Sequence, residues 1–126
     1  MIWWHVYPLG FTGAEKTELA ADEPARHRLR QLEAWLGYAA DLGCTGLLLG
    51  PVFASETHGY DTIDHFELDP RLGDQDDFDH LVAEAARHGL RIVLDGVFNH
   101  VGRSFVAYSP VAGHHGLVAL DRKSVV

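Results

Sequence analysis

The feature that most constrains the fold is a short unit that occurs twice. Residues Leu42–Gly50 (LGCTGLLLG) and His88–Gly96 (HGLRIVLDG) share one pattern: a helix end, a glycine, an apolar run and a second glycine. Glycine commonly ends helices, and short apolar runs bounded by turn residues are typical of buried strands. A strand that follows a helix twice in succession indicates successive βα units. The chain is therefore predicted to form an α/β fold with parallel strands.

Two amphipathic helices are predicted before these two strands, because apolar residues recur at the three-and-four spacing of one helix face. The first helix has Pro24 in its first turn and ends at Gly43. The second is capped by Asp74 and ends at Gly89. The predicted buried faces are Leu29, Leu32, Leu36 and Ala39 or Ala40 in the first helix, and Phe78, Leu81, Val82, Ala85 and Ala86 in the second.

A further strand is predicted over Ile2–Tyr7, which is rich in β-branched and aromatic residues. The continuous apolar run Gly46–Leu49 fits a strand covered on both faces. After it, Pro51–Gly73 forms a connection longer than the roughly two to six residues usual between a strand and a helix. Long connections are usually functional or disordered, and this one has too many apolar and aromatic residues to be disordered. We therefore expect a functional loop.

Composition limits the possible partners. A chain of 126 residues with 47% apolar residues has the size and character of one globular domain. Its net charge of −8 argues against nucleic acid or an anionic membrane as the main partner. We find neither a signal segment nor the roughly 20 consecutive apolar residues of a membrane span. We expect a cytoplasmic location and leave the oligomeric state open.

Polar side chains follow the strand that ends at Leu94. Asp95, Asn99 and His100 place a carboxylate, an amide and an imidazole directly after it. In parallel α/β proteins, active sites lie at the carboxyl ends of the strands. Three strands and two helices cannot close a barrel, and both sheet edges would remain unpaired. The sequence thus predicts part of the active-site edge of a larger α/β fold.

Three motifs in matching order and spacing resemble the α-amylase family of glycoside hydrolases, family 13. They are Gly59-Tyr60-Asp61, the segment Asp69–Gly73 with Asp77-Phe78 after it, and Leu94–His100. The resemblance extends from Ile2 to about Ser104 and implies a (β/α)8 TIM barrel of roughly 250 residues or more. This chain would supply strands one to three and helices one and two. The fold class is then an incomplete, N-terminal portion of that barrel, over residues 1–120.

The final segment has a separate interpretation. The sequence shows no clear helix or strand pattern after Val101, and residues 121–126 resemble nothing that precedes them. One back-translation of this segment matches a common sequencing adapter, so we expect 121–126 to be a non-native tail. Finding the same codons in a longer native reading frame would refute that interpretation.

The resemblance implies roles for the polar residues after the third strand. His100 matches a residue that hydrogen-bonds the sugar at the cleavage subsite, because an imidazole can both donate and accept. Asn99 matches a position whose amide oxygen binds a structural calcium ion in many members, and calcium prefers oxygen ligands. Asp95 matches a carboxylate that braces the active-site floor, through hydrogen bonds to an arginine that is absent here.

The long connection also carries residues with implied roles. Tyr60 matches the aromatic platform beneath the same sugar, whose C–H face is apolar. His58 lies where several members have a second sugar-contacting histidine. Asp61 and Asp64 are expected to hold the loop. His65 departs from the family, where an aromatic residue such as tyrosine is usual.

The resemblance places the chemistry outside this chain. Family members cleave α-glucosidic bonds with retention, using a nucleophile and a general acid about 5 to 5.5 Å apart. The matching motifs lie beyond strand three, so no catalytic residue is predicted here and Asp95 is not expected to be the nucleophile. The chain is predicted to be part of an enzyme of carbohydrate metabolism, a glycosidase or transglycosidase acting on an α-linked glucan or oligosaccharide. By itself it is expected to be inactive.

Two other functions remain open from the residues alone. His58, Asp95, Asn99 and His100 could bind a catalytic divalent metal in a hydrolase of another class. No close His-x-His or His-x-x-x-His pair supports that hypothesis. A non-catalytic, sugar-binding α/β domain of doubly wound type is the second alternative. The chain offers no fourth or fifth strand for such a sheet.

Overall fold

The structure is a computed structural model that describes residues 1–97, 101, 102 and 105. Its elements alternate between strands and helices, with one inserted hairpin. In chain order they are β1 (Trp3–Val6), α1 (Pro8–Phe11), α2 (Leu29–Asp41), β2 (Gly46–Leu49), β3 (Phe53–Ser55), β4 (Thr62–Leu68), α3 (Gln75–Arg87) and β5 (Arg91–Leu94).

The sheet that organises the molecule is parallel and has the spatial order β1-β2-β5. Val6 at the end of β1 lies beside Leu49 of β2, which lies beside Leu94 of β5. All three strands therefore end at the same edge of the sheet. The parallel arrangement predicted from the repeated unit is confirmed.

The hydrophobic core lies between one face of this sheet and the two long helices, α2 and α3. On the opposite face, Leu48 is half-buried and Val93 is exposed. The prediction that β2 is covered on both faces is confirmed in part, because Leu47 and Leu49 are buried on one face and Leu48 is half-buried on the other. The buried apolar cluster consists of Val6, Leu9, Leu29, Leu32, Leu36, Ala39, Leu47, Leu49, Val52, Leu72, Leu81, Ala85 and Leu90.

The start of α2 differs from the prediction. The helix begins at Leu29, so Pro24 does not lie in its first turn. The segment before it runs along the turn that precedes α3, where the Arg26 amide donates to the Pro70 carbonyl at 2.8 Å. The Leu29 amide donates to the Leu72 carbonyl, also at 2.8 Å. Carbonyls of a distant segment thus accept from the amides of Arg26 and Leu29. The local signal at Pro24 placed both residues inside the helix.

The start of α3 is as predicted, and its buried face is narrower. Asp74 caps the helix by accepting from the Asp77 amide at 2.9 Å, and the Asp77 carboxylate accepts from the Asp74 amide at 3.0 Å. This reciprocal pair is a capping box. Val82 and Ala86 are exposed, so their predicted burial is wrong. The buried residues of α3 are Asp77, Leu81 and Ala85.

The long connection after β2 contains secondary structure that the sequence does not predict. β3 and β4 form an antiparallel pair whose register shifts between Phe53 and Ala54 and between Ala54 and Ser55. Such irregularities remove the simple alternation by which strands are predicted. The short helix α1, which begins at Pro8, also goes unpredicted because a single turn has no apolar periodicity.

Helix length bears on membrane insertion. The two longest helices, α2 and α3, have 13 residues each. Within the part of the chain that the structure describes, no helix is long and apolar enough to cross a membrane.

Candidate functional site

The carboxyl edge of the parallel sheet brings together residues that are far apart in the sequence. The Gly50 amide donates to the Val6 carbonyl at 2.7 Å, and the Asp95 amide donates to the Leu49 carbonyl at 3.0 Å. These bonds extend the ladder one residue beyond the strands. Tyr7, which follows β1, and Asp95, which follows β5, therefore lie at the same edge.

The segment between β3 and β4 crosses this edge and is bound at both sides. The Tyr7 hydroxyl donates to the His58 carbonyl at 2.7 Å. The Tyr60 hydroxyl donates to Asp95 Oδ2 at 2.9 Å. The structure thus brings together three of the residues singled out from the sequence, His58, Tyr60 and Asp95.

The hydrogen bond between Tyr60 and Asp95 affects the titration of the tyrosine hydroxyl. It raises the pKa of the Tyr60 hydroxyl above its ordinary value, and partial burial acts in the same direction. Tyr60 therefore stays a donor at neutral pH, with Asp95 as the acceptor. The Tyr60 side chain remains 38% exposed at this edge. An exposed aromatic ring whose polar tip is held by a carboxylate can bind the apolar face of a ligand.

The His58 ring is ordered by its neighbours yet open to solvent. Its Nδ1 accepts from the Tyr60 amide at 3.1 Å, which assigns the neutral ring a proton on Nε2. The His58 and Tyr60 ring centroids are 6.1 Å apart, with their planes tilted by 36°. His58 keeps 60% of its side chain exposed. Since no described residue accepts from Nε2, the ring has a donor to offer to a polar ligand beside the tyrosine ring.

Asp61 is hydrogen-bonded within the segment that crosses the sheet edge. Its Oδ2 accepts from the Thr57 hydroxyl, while Oδ1 is buried and has no hydrogen-bond partner among the described residues. Burial raises the pKa of the Asp61 carboxyl, but hydrogen bonds from Thr57 outweigh burial and lower it below its ordinary value. Asp61 is consequently ionised at neutral pH. The expectation that Asp61 holds the loop stays a prediction.

Gly59 is required by the tight path between His58 and Tyr60. Its φ of +97° lies in the left-handed region that side chains with a Cβ rarely adopt. A Cβ at this position would also lie 2.9 Å from the Pro51 Cβ. Any other residue here would shift the two flanking side chains.

The segment after β5 packs against the hairpin. His65 Nε2 lies 2.7 Å from the Val97 carbonyl, and the His65 ring contacts Phe105 edge-on at 5.4 Å between centroids. The Gly102 amide donates to the Thr62 carbonyl at 2.8 Å. The histidine at position 65, which departs from the family pattern, therefore connects β4 to the chain beyond β5.

Two residues near this edge have no role assigned to them from the sequence. Tyr7 follows β1 in the same way that Asp95 follows β5, and its position as the last residue of the predicted strand Ile2–Tyr7 is a signal that could have identified it. Arg71 is fully buried beneath the crossing segment. Nothing in the sequence indicates its burial, since arginine is almost always exposed.

The predicted calcium ligand Asn99 and the predicted sugar contact His100 lie outside the described residues. The described residues contain one group of three potential metal-ligating side chains, His27, Asp74 and Asp77, at the start of α3. Both Asp77 carboxylate oxygens there already accept hydrogen bonds. That group includes neither His58 nor Asp95, so it gives no support to the metal-dependent hydrolase hypothesis.

Comparison with known proteins agrees with this geometry. Residues 6–116 match the alpha-amylase catalytic domain. A cyclomaltodextrinase from Geobacillus thermopakistaniensis (strain MAS1) is 47% identical over 77 residues, and Neopullulanase 2 from Thermoactinomyces vulgaris is 48% identical over 77 residues. In both cases the match covers 60% of this chain and 13% of the relative.

The fold is also that of solved structures. The cyclic alpha-maltosyl-(1→6)-maltose hydrolase from Arthrobacter globiformis superposes with a TM-score of 0.66 at 30% identity, over 84% of this chain and 27% of that one. The parallel strands and their polar carboxyl edge thus define an incomplete portion of a TIM barrel. The chain belongs to the α-amylase family of glycoside hydrolases.

Proposed function

We propose that this chain supplies the sugar-binding wall of a barrel that acts on α-linked glucosyl oligosaccharides. The observation that carries the proposal is the Tyr60 ring, held by Asp95 at the carboxyl edge and flanked by the exposed His58 imidazole. A pyranose ring has an apolar C–H face and a polar rim. Tyr60 offers an aromatic surface for the face, and His58 offers a donor for the rim.

The names of the relatives support this class of substrate. A cyclomaltodextrinase and a neopullulanase are both named for α-glucans, and each shares nearly half of its aligned residues with this chain. The aligned segment is only 13% of each relative. We therefore assign to this chain the holding of the sugar, and to segments beyond it the choice between hydrolysis and transfer.

Bond cleavage itself is assigned outside this chain. A retaining glycosidase needs a carboxylate nucleophile and a protonated carboxylic acid on either side of the scissile bond. Asp95 accepts from Tyr60 and Asp61 accepts from Thr57. Both carboxylates are thus engaged in holding the loop. We propose that Asp95 and Asp61 act as braces of the site.

Asn99 and His100 extend the same proposal. His100 would add a second imidazole contact to the sugar, and Asn99 would give its amide oxygen to a structural calcium ion. Both follow Asp95 by a few residues in the sequence. A bound calcium ion would supply rigidity to this segment.

Calorimetric titration of the 126-residue chain with maltotriose tests the proposal. We expect Tyr60→Ala to weaken binding by roughly tenfold or more, because the aromatic platform is lost. Tyr38→Ala is the matched control, since Tyr38 is an exposed tyrosine on α2 at 58% exposure. Equal affinity for the two variants would contradict a role of Tyr60 in sugar binding.

A second assay separates binding from catalysis. The purified chain should release no product from a chromogenic α-glucoside at concentrations where maltotriose binds. Hydrolysis by this chain, abolished by Asp95→Asn, would overturn the assignment of the chemistry to other segments.

A further inference from the structure

Arg71 lies on the turn before α3 and has none of its surface exposed. Its Nε donates to Asp69 Oδ1 at 3.0 Å, and its Nη2 donates to Asp69 Oδ2 at 2.7 Å. Nη2 also donates to the Ser55 hydroxyl at 2.9 Å. The guanidinium is thus a buried cation with a buried counter-charge.

The other side of the guanidinium binds two segments of the chain by their backbone. Nη1 donates to the Thr57 carbonyl at 2.7 Å and to the Glu15 carbonyl at 2.9 Å. Thr57 immediately precedes His58, and Glu15 follows α1. One side chain therefore connects the segment that crosses the carboxyl edge with the segment that follows β1 and α1.

These contacts support the residues of the proposed sugar site without including any of them. Thr57 is anchored through its carbonyl to Arg71 and through its hydroxyl to Asp61. The next carbonyl, that of His58, accepts from Tyr7. Three residues, Thr57 to Gly59, lead from the Arg71 contact to Tyr60. The carbonyls of the first two, Thr57 and His58, each accept a hydrogen bond.

A buried ion pair is weak evidence for stability alone, because removing both charges from water costs much of what their attraction returns. A planar guanidinium with five donors is, however, suited to hold several acceptors in one geometry. Arg71 has acceptors in four residues: Asp69, Ser55, Thr57 and Glu15. This arrangement suits a side chain that fixes the conformation of a loop.

We propose that Arg71 is a positioning residue, whose guanidinium holds the Thr57 backbone so that His58 and Tyr60 lie against Asp95 in the geometry that receives a sugar. The positioning is a property of the free chain. Its consequence for sugar binding rests on the proposed function.

The test uses Arg71→Lys in the full chain, with Tyr60 followed by carbon-13 NMR at the ring carbon that carries the hydroxyl. Lysine keeps the positive charge next to Asp69 but cannot reach the Thr57 and Glu15 carbonyls together. We expect the raised pKa of Tyr60 to return to the ordinary tyrosine value of 10, because its bond to Asp95 is released. An unchanged Tyr60 titration in a folded Arg71→Lys chain would overturn the proposal.

Arg30→Met is the matched control. Arg30 also pairs with a buried carboxylate, Asp77, at 2.9 Å, but its bond lies at the start of α2. We expect this variant to lose stability while the Tyr60 titration stays as in the wild type. If Arg30→Met moves the Tyr60 titration as far as Arg71→Lys does, the effect follows from stability in general and the proposal is wrong.

Ser55→Ala provides a milder variant should Arg71→Lys fail to fold. It removes one acceptor of Nη2 and leaves the ion pair with Asp69 in place. We expect a smaller shift of the Tyr60 titration in the same direction, and no shift would count against the proposal.

A maltotriose titration of the same variants separates the two claims. Binding that is roughly tenfold weaker in Arg71→Lys and unchanged in Arg30→Met supports positioning for sugar. If the wild-type chain does not bind maltotriose but the Tyr60 titration still depends on Arg71, positioning stands and the proposed function fails.

Discussion

Two carboxylates in this molecule are equally buried but have different partners. Asp69 and Asp77 keep 1% and 3% of their side chains exposed. Asp69 pairs with Arg71, which is fully buried. Asp77 pairs with Arg30 and His27, which keep 45% and 64% of their side chains exposed.

The exposure of the partner determines how much each ion pair contributes to stability. Removing one member of a fully buried pair leaves an unpaired charge away from water. Removing an exposed partner lets water take its place, so the loss is small. Asp77 and its partners join the start of α2 to the start of α3, whereas Asp69 and Arg71 hold the segment that carries the candidate site.

The largest effect is expected for Asp69→Ala, which leaves the buried Arg71 guanidinium without its counter-charge. We expect a loss of about 3–5 kcal/mol in the free energy of unfolding. Urea unfolding followed by circular dichroism measures it. A loss below about 1 kcal/mol would show that water reaches Arg71, and the contrast between the two pairs would disappear.

The second effect concerns pH. Burial raises the pKa of the Asp77 carboxyl, but hydrogen bonds from His27 and Arg30 outweigh it and lower the pKa to about 2, from an ordinary value of 3.8. A lowered carboxyl pKa stabilises the fold above the ordinary value, and that contribution disappears as the pH falls from about 4 to about 2. The contribution is roughly 2 kcal/mol at most.

Unfolding free energies measured across this pH range check the prediction. Asp77→Asn should flatten the decline between pH 4 and pH 2. An unchanged slope in that variant would assign the acid sensitivity to other carboxylates.

His27 should also make the unfolding free energy depend on pH, at higher pH than Asp77 does. Its hydrogen bond to Asp77 raises the pKa of the imidazole above its ordinary value of 6.5. A raised histidine pKa stabilises the fold below the ordinary value, and this contribution is lost as the pH rises through the raised value. His27→Gln should remove this part of the pH dependence of the unfolding free energy. In the wild-type chain, two-dimensional NMR of the His27 ring can follow its titration directly.

A smaller effect is expected for Arg30→Met. Arg30 is nearly half exposed, so we expect a loss well below that of Asp69→Ala. The loss should shrink further at high salt, because exposed charges are screened. A loss as large as that of Asp69→Ala would show that exposure of the partner does not weaken the ion pair.

The smallest effect is expected for Tyr60→Phe. The variant keeps the aromatic ring and loses the exposed bond to Asp95, so stability should change by about 0.5–1 kcal/mol. Maltotriose binding should weaken less than in Tyr60→Ala, because the platform remains. Equal binding losses in the two variants would show that the hydroxyl, and not the ring, carries the contact.

The sequence was informative where one short signal decides the structure. The glycines that flank β2 and β5 located both strands, and Asp74 located the start of α3. The motif around Tyr60 and the strand before Asp95 predicted one shared site edge. Their direct hydrogen bond agrees with that expectation.

The remainder depends on contacts between distant segments. β3 pairs with β4 through an irregular register, and the start of α2 is set by the carbonyls of Pro70 and Leu72. Arg71 is buried only because acceptors from four residues converge on it. No local pattern encodes such convergence, which explains why the sequence missed this residue.

We propose that the Tyr60 ring receives the apolar face of an α-linked glucose. Saturation-transfer NMR of the chain with maltotriose tests this directly, by irradiating aromatic protons and observing the sugar. We predict transfer to the C–H protons of one pyranose face, and its loss in Tyr60→Ala but not in Tyr38→Ala. Transfer that persists in Tyr60→Ala, or none from the wild-type chain, would contradict this role of Tyr60.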